Sequence, residues 1–223
     1  MERFYDTSPY DGFDPAPYPD DLQGWGWNHE IFEEAIGAVR PKVIVEVGTW
    51  KGASAIRMAE IVKSLGLDTR IICIDTWLGS EEHFLGLRAE ERISLRRCHG
   101  FPQLYYTFLG NVVRRGMQDI IVPLATTSTQ GAIILGKAGI RPDLVYLDAA
   151  HDYPSVLLDL NSYWGLISDT GVLIGDDYIG WGGVTQAANE FAMKTGAPIF
   201  GELGKFMMCK GNAVRARISM VRT

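Results

Sequence analysis

The chain has 223 residues, 47% hydrophobic and 11% aromatic, which suits one α/β domain with a large core and is at odds with disorder. The net charge is −6, and the basic residues are scattered apart from Arg96-Arg97, Arg114-Arg115 and a tail with Arg215, Arg217 and Arg222, so a nucleic-acid footprint is not expected. No stretch approaches a membrane span, no secretory leader is legible, and Cys73, Cys98 and Cys209 form no CxxC pair; a cytoplasmic, reducing setting is the expectation.

Residues 1–24 carry Pro9, Pro15, Pro17 and Pro19 together with Tyr5, Tyr10, Phe13 and Tyr18, the pattern of an irregular aromatic strap. Trp25 and Trp27 read as pins that hold this strap to the body; the alternative is that they and His29 line the mouth of a site. Asn28 is placed to cap a helix reaching Val39, with Ile31, Phe32, Ala35, Ile36 and Val39 at helical spacing, and Arg40-Pro41 ends it.

From Lys42 onward strands and helices alternate. The strands are Val43–Val47, Arg70–Ile74, Ile120–Leu124, Leu144–Leu147 and Val172–Gly175. Helices are expected over Ser54–Leu65 and Gln130–Ala138. A third has an apolar stripe of Tyr153, Leu157, Leu160, Trp164 and Ile167, and a fourth one of Val184, Ala187, Ala188, Phe191 and Ala192. Residues 76–118 read as one or two helices plus a mobile segment, with Tyr105, Tyr106 and Phe108 assigned to helix core rather than to a substrate platform. Pro198–Gly201 and Phe206–Cys209 form a closing hairpin. The fold class is α/β, a doubly wound, mostly parallel seven-stranded sheet with an antiparallel C-terminal hairpin.

Chemistry concentrates at the strand ends, where ligands bind in open α/β sheets. Asp148 closes the fourth strand, Asp176 and Asp177 close the fifth, and His151 lies one turn beyond Asp148. Carboxylates this close need a cation or donors to compensate them, and oxygen ligands suit a hard divalent metal. Adjacent residues of an extended chain point to opposite sides, so Asp176 and Asp177 both face one ion only if the strand has ended. The first strand runs into Glu46-Val47-Gly48-Thr49-Trp50-Lys51-Gly52-Ala53-Ser54. Gly48 permits a sharp turn and Gly52 a close approach at the helix start. Trp50 stands where the dinucleotide fingerprint has its second glycine, which disfavours a nicotinamide cofactor. Glu46 suits a cationic ligand, and Asp75 can accept two ribose hydroxyls or cap the segment that follows it.

Taken in order, Glu46-x-Gly48-x-x-x-Gly52-x-Ser54, Asp75, Asp148-Ala149-Ala150-His151 and Gly175-Asp176-Asp177-Tyr178 resemble a class I S-adenosylmethionine-dependent methyltransferase. The nearest flavour is the metal-dependent O-methyltransferases of macrolide and aminocoumarin sugars, over roughly residues 40–210. The resemblance implies that Glu46, Gly48, Thr49, Gly52 and Ser54 hold the methionine part of the cofactor. Asp75 would take its ribose, with Trp77 packed on the adenosine and Thr126, Thr127 or Ser128 near the adenine. Asp148, Asp176 and Asp177 match the metal ligands and His151 the general base. Catechol-type members carry asparagine where Asp177 stands, so this metal site would be more negative.

On this reading residues 1–40 form a strap and helix covering substrate and cofactor, 41–212 the S-adenosylmethionine-binding catalytic domain, and 213–223 a tail. The expected reaction is methyl transfer to a hydroxyl of a sugar or small natural product. Mg²⁺ or another divalent cation would polarise the hydroxyl, and an imidazole, with an unperturbed pKa of about 6.5, would deprotonate it. The alternatives are a metal-binding hydroxylase or hydrolase on the same fold, or a nucleoside-binding protein without turnover. The aromatic strap could also reach a neighbouring copy in a homo-oligomer.

Overall fold

The computed structural model describes residues 4–85, 94–202 and 204–211, without the side chains of Glu82 and Glu202. The charged residues Arg88, Glu90, Glu91 and Arg92, the tail 213–223 and its arginines lie outside the described residues.

In chain order the elements are α1 (Ile31–Val39), β1 (Val43–Val47), α2 (Ala53–Ser64), β2 (Arg70–Asp75), α3 (Glu81–Leu85), α4 (Leu104–Arg114), β3 (Ile121–Ala125), α5 (Ser128–Lys137), β4 (Leu144–Leu147), α6 (Tyr153–Leu166), β5 (Val172–Gly175), α7 (Gly182–Thr195), β6 (Ile199–Glu202) and β7 (Lys205–Cys209). One seven-stranded sheet has the order β3-β2-β1-β4-β5-β7-β6. Its first five strands are parallel, while β7 runs antiparallel between β5 and β6. The β-branched runs are buried on both faces, as a sheet sandwiched between helices requires. Alternate residues divide between two cores. Ile44, Ile71, Ile121, Leu144 and Ile174 pack with α1, α2 and α4. Val45, Ile72, Val122, Val145 and Leu173 pack with α5, α6 and α7. Strand order reverses between β1 and β4, so a crevice opens above their C-terminal ends.

Local boundaries differ from the sequence expectations in ways that can be traced. Helix α1 starts at Ile31, and His29 Nδ1, not Asn28, accepts the Ile31 N–H at 3.0 Å. Helix α5 starts at Ser128 because the Thr127 hydroxyl caps it, accepting from the Gln130 N–H at 3.3 Å. Of the stripe expected on α6, Leu160 and Ile167 are fully buried and Tyr153, Leu157 and Trp164 pack against the same core, which also takes in Val156, Asp159 and Tyr163. The Tyr163 hydroxyl donates to the Ser128 carbonyl at 2.8 Å, which lets a polar-tipped ring sit in the core. The stripe on α7 is as read, with Val184, Ala187, Ala188, Phe191 and Ala192 all buried.

The strap closes the β3 edge. Tyr5 and Tyr10 donate to the Pro123 and Ile121 carbonyls at 2.6 and 3.1 Å, covering acceptors an edge strand would otherwise expose. Arg114 donates to the carbonyls of Pro15, Tyr18 and Pro19, and Tyr106 stacks on Phe13 and Tyr18. Tyr106 thus serves the strap, whereas Phe108 is core. Buried Asn111 on α4 donates to the Asp21 and Lys51 carbonyls and accepts from the Asp21 N–H. Buried Lys51 donates to Asp21 and Gln23 at 2.6 and 2.8 Å, so the strap is bolted to the start of α2. Replacing Asn111 by alanine orphans three backbone groups at once. Urea melts of Asn111→Ala should show a loss of about 2–3 kcal/mol.

Candidate active site

The turn after β1 is built by crowding. Gly48 has φ +82°, and a Cβ there would lie 1.8 Å from the Asp148 carbonyl oxygen, so this turn is pressed directly against the end of β4. Trp50 adopts φ +53°, a left-handed conformation unusual for an aromatic residue. Asp75 offsets the strain by accepting the Thr49 and Trp50 N–H groups on Oδ2 at 2.9 and 2.8 Å, while Trp77 Nε1 donates to the Trp50 carbonyl at 2.8 Å. Asp75 Oδ1 also accepts the Trp77 N–H at 2.7 Å. Burial raises the carboxyl pKa of Asp75 despite these donors.

Glu46 is fully buried on the same strand end, beside Cys73 of β2, with which it is in register. Ser54 donates to its Oε1, and the Cys73 thiol lies 3.5 Å from Oε2. Burial pushes its carboxyl up to about 8, against the opposing effect of the Ser54 and Thr49 hydroxyls. Near neutral pH the uncharged form of this buried acid is therefore favoured.

Beyond β4 and β5 the acids divide into two groups. Asp148, His151 and Asp177 have ligand atoms within 4.8 Å of one another, and His151 Nε2 lies 2.9 Å from Asp177 Oδ2. Trp181 stacks on the His151 ring at 4.4 Å and 15°, which fixes the imidazole plane. Asp177 sits at φ +58°, beyond the end of β5 at Gly175, and its N–H donates to Asp176 Oδ1 at 2.8 Å, while the two carboxylates find different partners. Asp176 Oδ2 instead meets the Lys205 ammonium and accepts the Tyr146 hydroxyl at 2.6 Å. Tyr146 also lies 3.0 Å from Asp148 Oδ2, and Lys205 Nζ lies 2.8 Å from the Tyr146 oxygen. Burial, followed by the charge of Asp176, pushes Asp148 up to about 7. A pocket lined by Asp148, His151, Asp176 and Asp177 opens at these strand ends.

A family model described as a methyltransferase domain matches residues 45–178, more than half of the chain and the whole of this glycine-turn-to-acid arrangement. The chain belongs to the methyltransferase family. By family and fold it is a class I, S-adenosylmethionine-dependent enzyme. No curated protein sequence matches it. Among solved structures it resembles the O-methyltransferase of Bacillus cereus in complex with S-adenosylhomocysteine, at 14% identity and TM-score 0.55, covering 87% of this chain and 86% of that one. It also resembles TomG of Streptomyces achromogenes, an O-methyltransferase of tomaymycin synthesis in complex with S-adenosylmethionine, at 15% and 0.58, covering 86% and 83%. A third is CalS11, the TDP-rhamnose 3′-O-methyltransferase of calicheamicin biosynthesis, at 16% and 0.55, covering 86% and 82%. At such identities the likeness establishes the fold.

The methyltransferase places its expected residues unevenly. Glu46, Gly48, Thr49, Gly52, Ser54 and Asp75 converge around one turn, adjoining Asp148. Trp77 is buried and packs on Tyr105 and Phe108, so it backs the turn rather than presenting a face to a ligand. Ser128 donates to Asp159 on α6 and ties α5 to that helix. Trp25 is 71% exposed and Trp27 36%, so neither pins the strap by burial. Gly26 between them lies over the lysine pair, its ideal Cβ position 3.2 Å from Lys205 Nζ. Lys205 and Tyr146 escaped the sequence reading. Neither has a local signature as a site residue, and only the insertion of β7 beside β5 shows why a lysine opens an apolar strand.

Glu46 has a folded pKa above its unfolded value, so its contribution is fully present below about 4.5 and is lost as pH rises toward 8; Asp148 acts in the same direction. Chemical denaturation at pH 6 and 8.5 should show stability falling by roughly 2 kcal/mol, and Glu46→Gln should remove much of that slope. Gly48→Ala adds both strain and a collision with Asp148, and differential scanning fluorimetry should show it losing any stabilisation by S-adenosylhomocysteine.

Proposed function

We propose that this methyltransferase is an O-methyltransferase whose acceptor is a hydroxyl of a sugar or another small natural product. The observation that carries the reading is the His151–Asp177 pair, 2.9 Å apart, in one cluster with Asp148 beside the glycine turn. The structural likeness to O-methyltransferases, one of them acting on TDP-rhamnose, supports a hydroxyl acceptor.

Glu46, Gly48, Thr49, Gly52 and Ser54 would receive the methionine portion of the cofactor, with the Glu46 carboxyl ionising against its positive charge. Asp75 would accept ribose hydroxyls beside the N–H groups it already holds, and Thr126, Thr127 or Ser128 would lie near the adenine. His151, with Nε2 2.9 Å from Asp177 Oδ2, would take the acceptor's proton. Asp177 then stabilises the imidazolium, and Trp181 keeps the ring from turning. Positioning does much of the rest, because the oxygen must meet the methyl group in line with the departing sulfur.

Asp148 and Asp177 are the carboxylates that would hold a divalent cation such as Mg²⁺, with His151 adjacent. Such an ion supplies Lewis-acid polarisation of the hydroxyl and lowers its pKa. The fit is good for these residues and poor for Asp176, whose Oδ2 is already engaged.

The test is a methyl-transfer screen over glycosides and phenols, with and without chelator. Hydroxylated acceptors should be methylated, and chelation should lower the rate. His151→Gln should lower kcat by roughly 10²–10⁴-fold while S-adenosylmethionine affinity stays within about two-fold. A full rate in His151→Gln would remove the imidazole from the mechanism, and transfer confined to amines or thiols would overturn the acceptor class.

A further inference from the structure

Lys205 is placed by topology. Gly175 of β5 is in register with Phe206 of the antiparallel β7, so the residue before Phe206 comes to face the residue after Gly175. That pairing sets Lys205 against Asp176. The side chain is 1% exposed and enclosed on several sides. Its Nζ lies 4.9 Å from the Tyr146 ring centre and 5.6 Å from that of Phe32, with Gly26 closing over it. An ammonium in such a cage must remain paired, and its partners here are Asp176 Oδ2 and the Tyr146 hydroxyl. A divalent ion on that same carboxylate oxygen would stand a few ångströms from a fixed positive charge.

We propose that Lys205 is a resident cation that withdraws Asp176 from the divalent-ion site. The ion site is thereby reduced to the carboxylates of Asp148 and Asp177, with His151 beside them, and binds its ion weakly and exchangeably. Lys205 is a positioning residue: it acts on the site through Asp176. The inference rests on the reading of Asp148 and Asp177 as the cation's carboxylates.

Direct Mn²⁺ binding to the full chain, followed by electron paramagnetic resonance of the free ion and by calorimetry, tests both levels. Asp176→Asn should leave Mn²⁺ affinity within about two-fold of the starting protein, while Asp148→Asn and Asp177→Asn should each weaken it at least ten-fold. Lys205→Met should tighten it about ten-fold by releasing Asp176, and Lys205→Met combined with Asp176→Asn should abolish that gain. If Lys205→Met does not fold, as a thermal melt would show, Asp176→Asn alone decides. A loss in Asp176→Asn equal to that in Asp148→Asn would overturn the inference, as would a folded Lys205→Met without any gain. Unchanged binding in both Asp148→Asn and Asp177→Asn would instead overturn the cation reading itself, and the inference with it.

Discussion

Crowded carboxylates set the terms for this molecule. Glu46, Asp75, Asp148, Asp176 and Asp177 all stand at the C-terminal ends of β1, β2, β4 and β5, and a buried carboxylate keeps its charge only where donors or cations compensate it. Each acid meets the constraint differently. Asp75 collects backbone N–H groups from the turn it organises. Asp176 takes the Lys205 ammonium and Asp177 the imidazole. Glu46 and Asp148 have the least compensation, and their carboxyls are pushed up toward neutrality. Those two flank the position where the glycine turn meets β4, the place with most to gain from a positively charged ligand.

The compensation is delivered by the fold. Parallel pairing brings the β1, β2 and β4 ends to one level, and the tight contact of Gly48 with the Asp148 carbonyl joins the turn to the acids. The antiparallel insertion of β7 then supplies a lysine from the opposite chain direction, which a parallel strand in that position would carry at its far end. The strap completes the frame: Lys51, Asp21 and Asn111 fix it to α2 and α4, and it ends with Gly26 over the lysine pair. Removing polar fixtures far from the acids should therefore disturb the site as well as the edge of the sheet.

Much of this was legible in the amino-acid order because buried parallel strands announce themselves as short β-branched runs, each followed by its acid. Val43–Val47 with Glu46 and Gly48, Leu144–Leu147 with Asp148, and Val172–Gly175 with Asp176 needed no tertiary information. What stayed hidden depends on partners distant in sequence. That Asp176 belongs to a lysine and Asp177 to a histidine follows from the left-handed backbone at Asp177 and from the place of β7 in the sheet, and neither has a local signature. Trp77 was misread for a similar reason, since an indole beside a ribose-type acid can face a ligand or the core. Here the Trp50 carbonyl draws it inward. The stripe on α6 was incomplete because Tyr163 and Asp159 are buried with polar partners, which a hydrophobic pattern does not count.

On this reading the glycine turn and the under-compensated acids form the pocket of a methyl donor rather than of a dinucleotide. Calorimetric titration of the purified chain with S-adenosylmethionine and, separately, with NAD distinguishes the two. Saturable binding of S-adenosylmethionine is expected, tightening as pH rises from 6.5 to 8.5 while Glu46 ionises, with no binding of NAD. Binding of NAD without S-adenosylmethionine would contradict that reading.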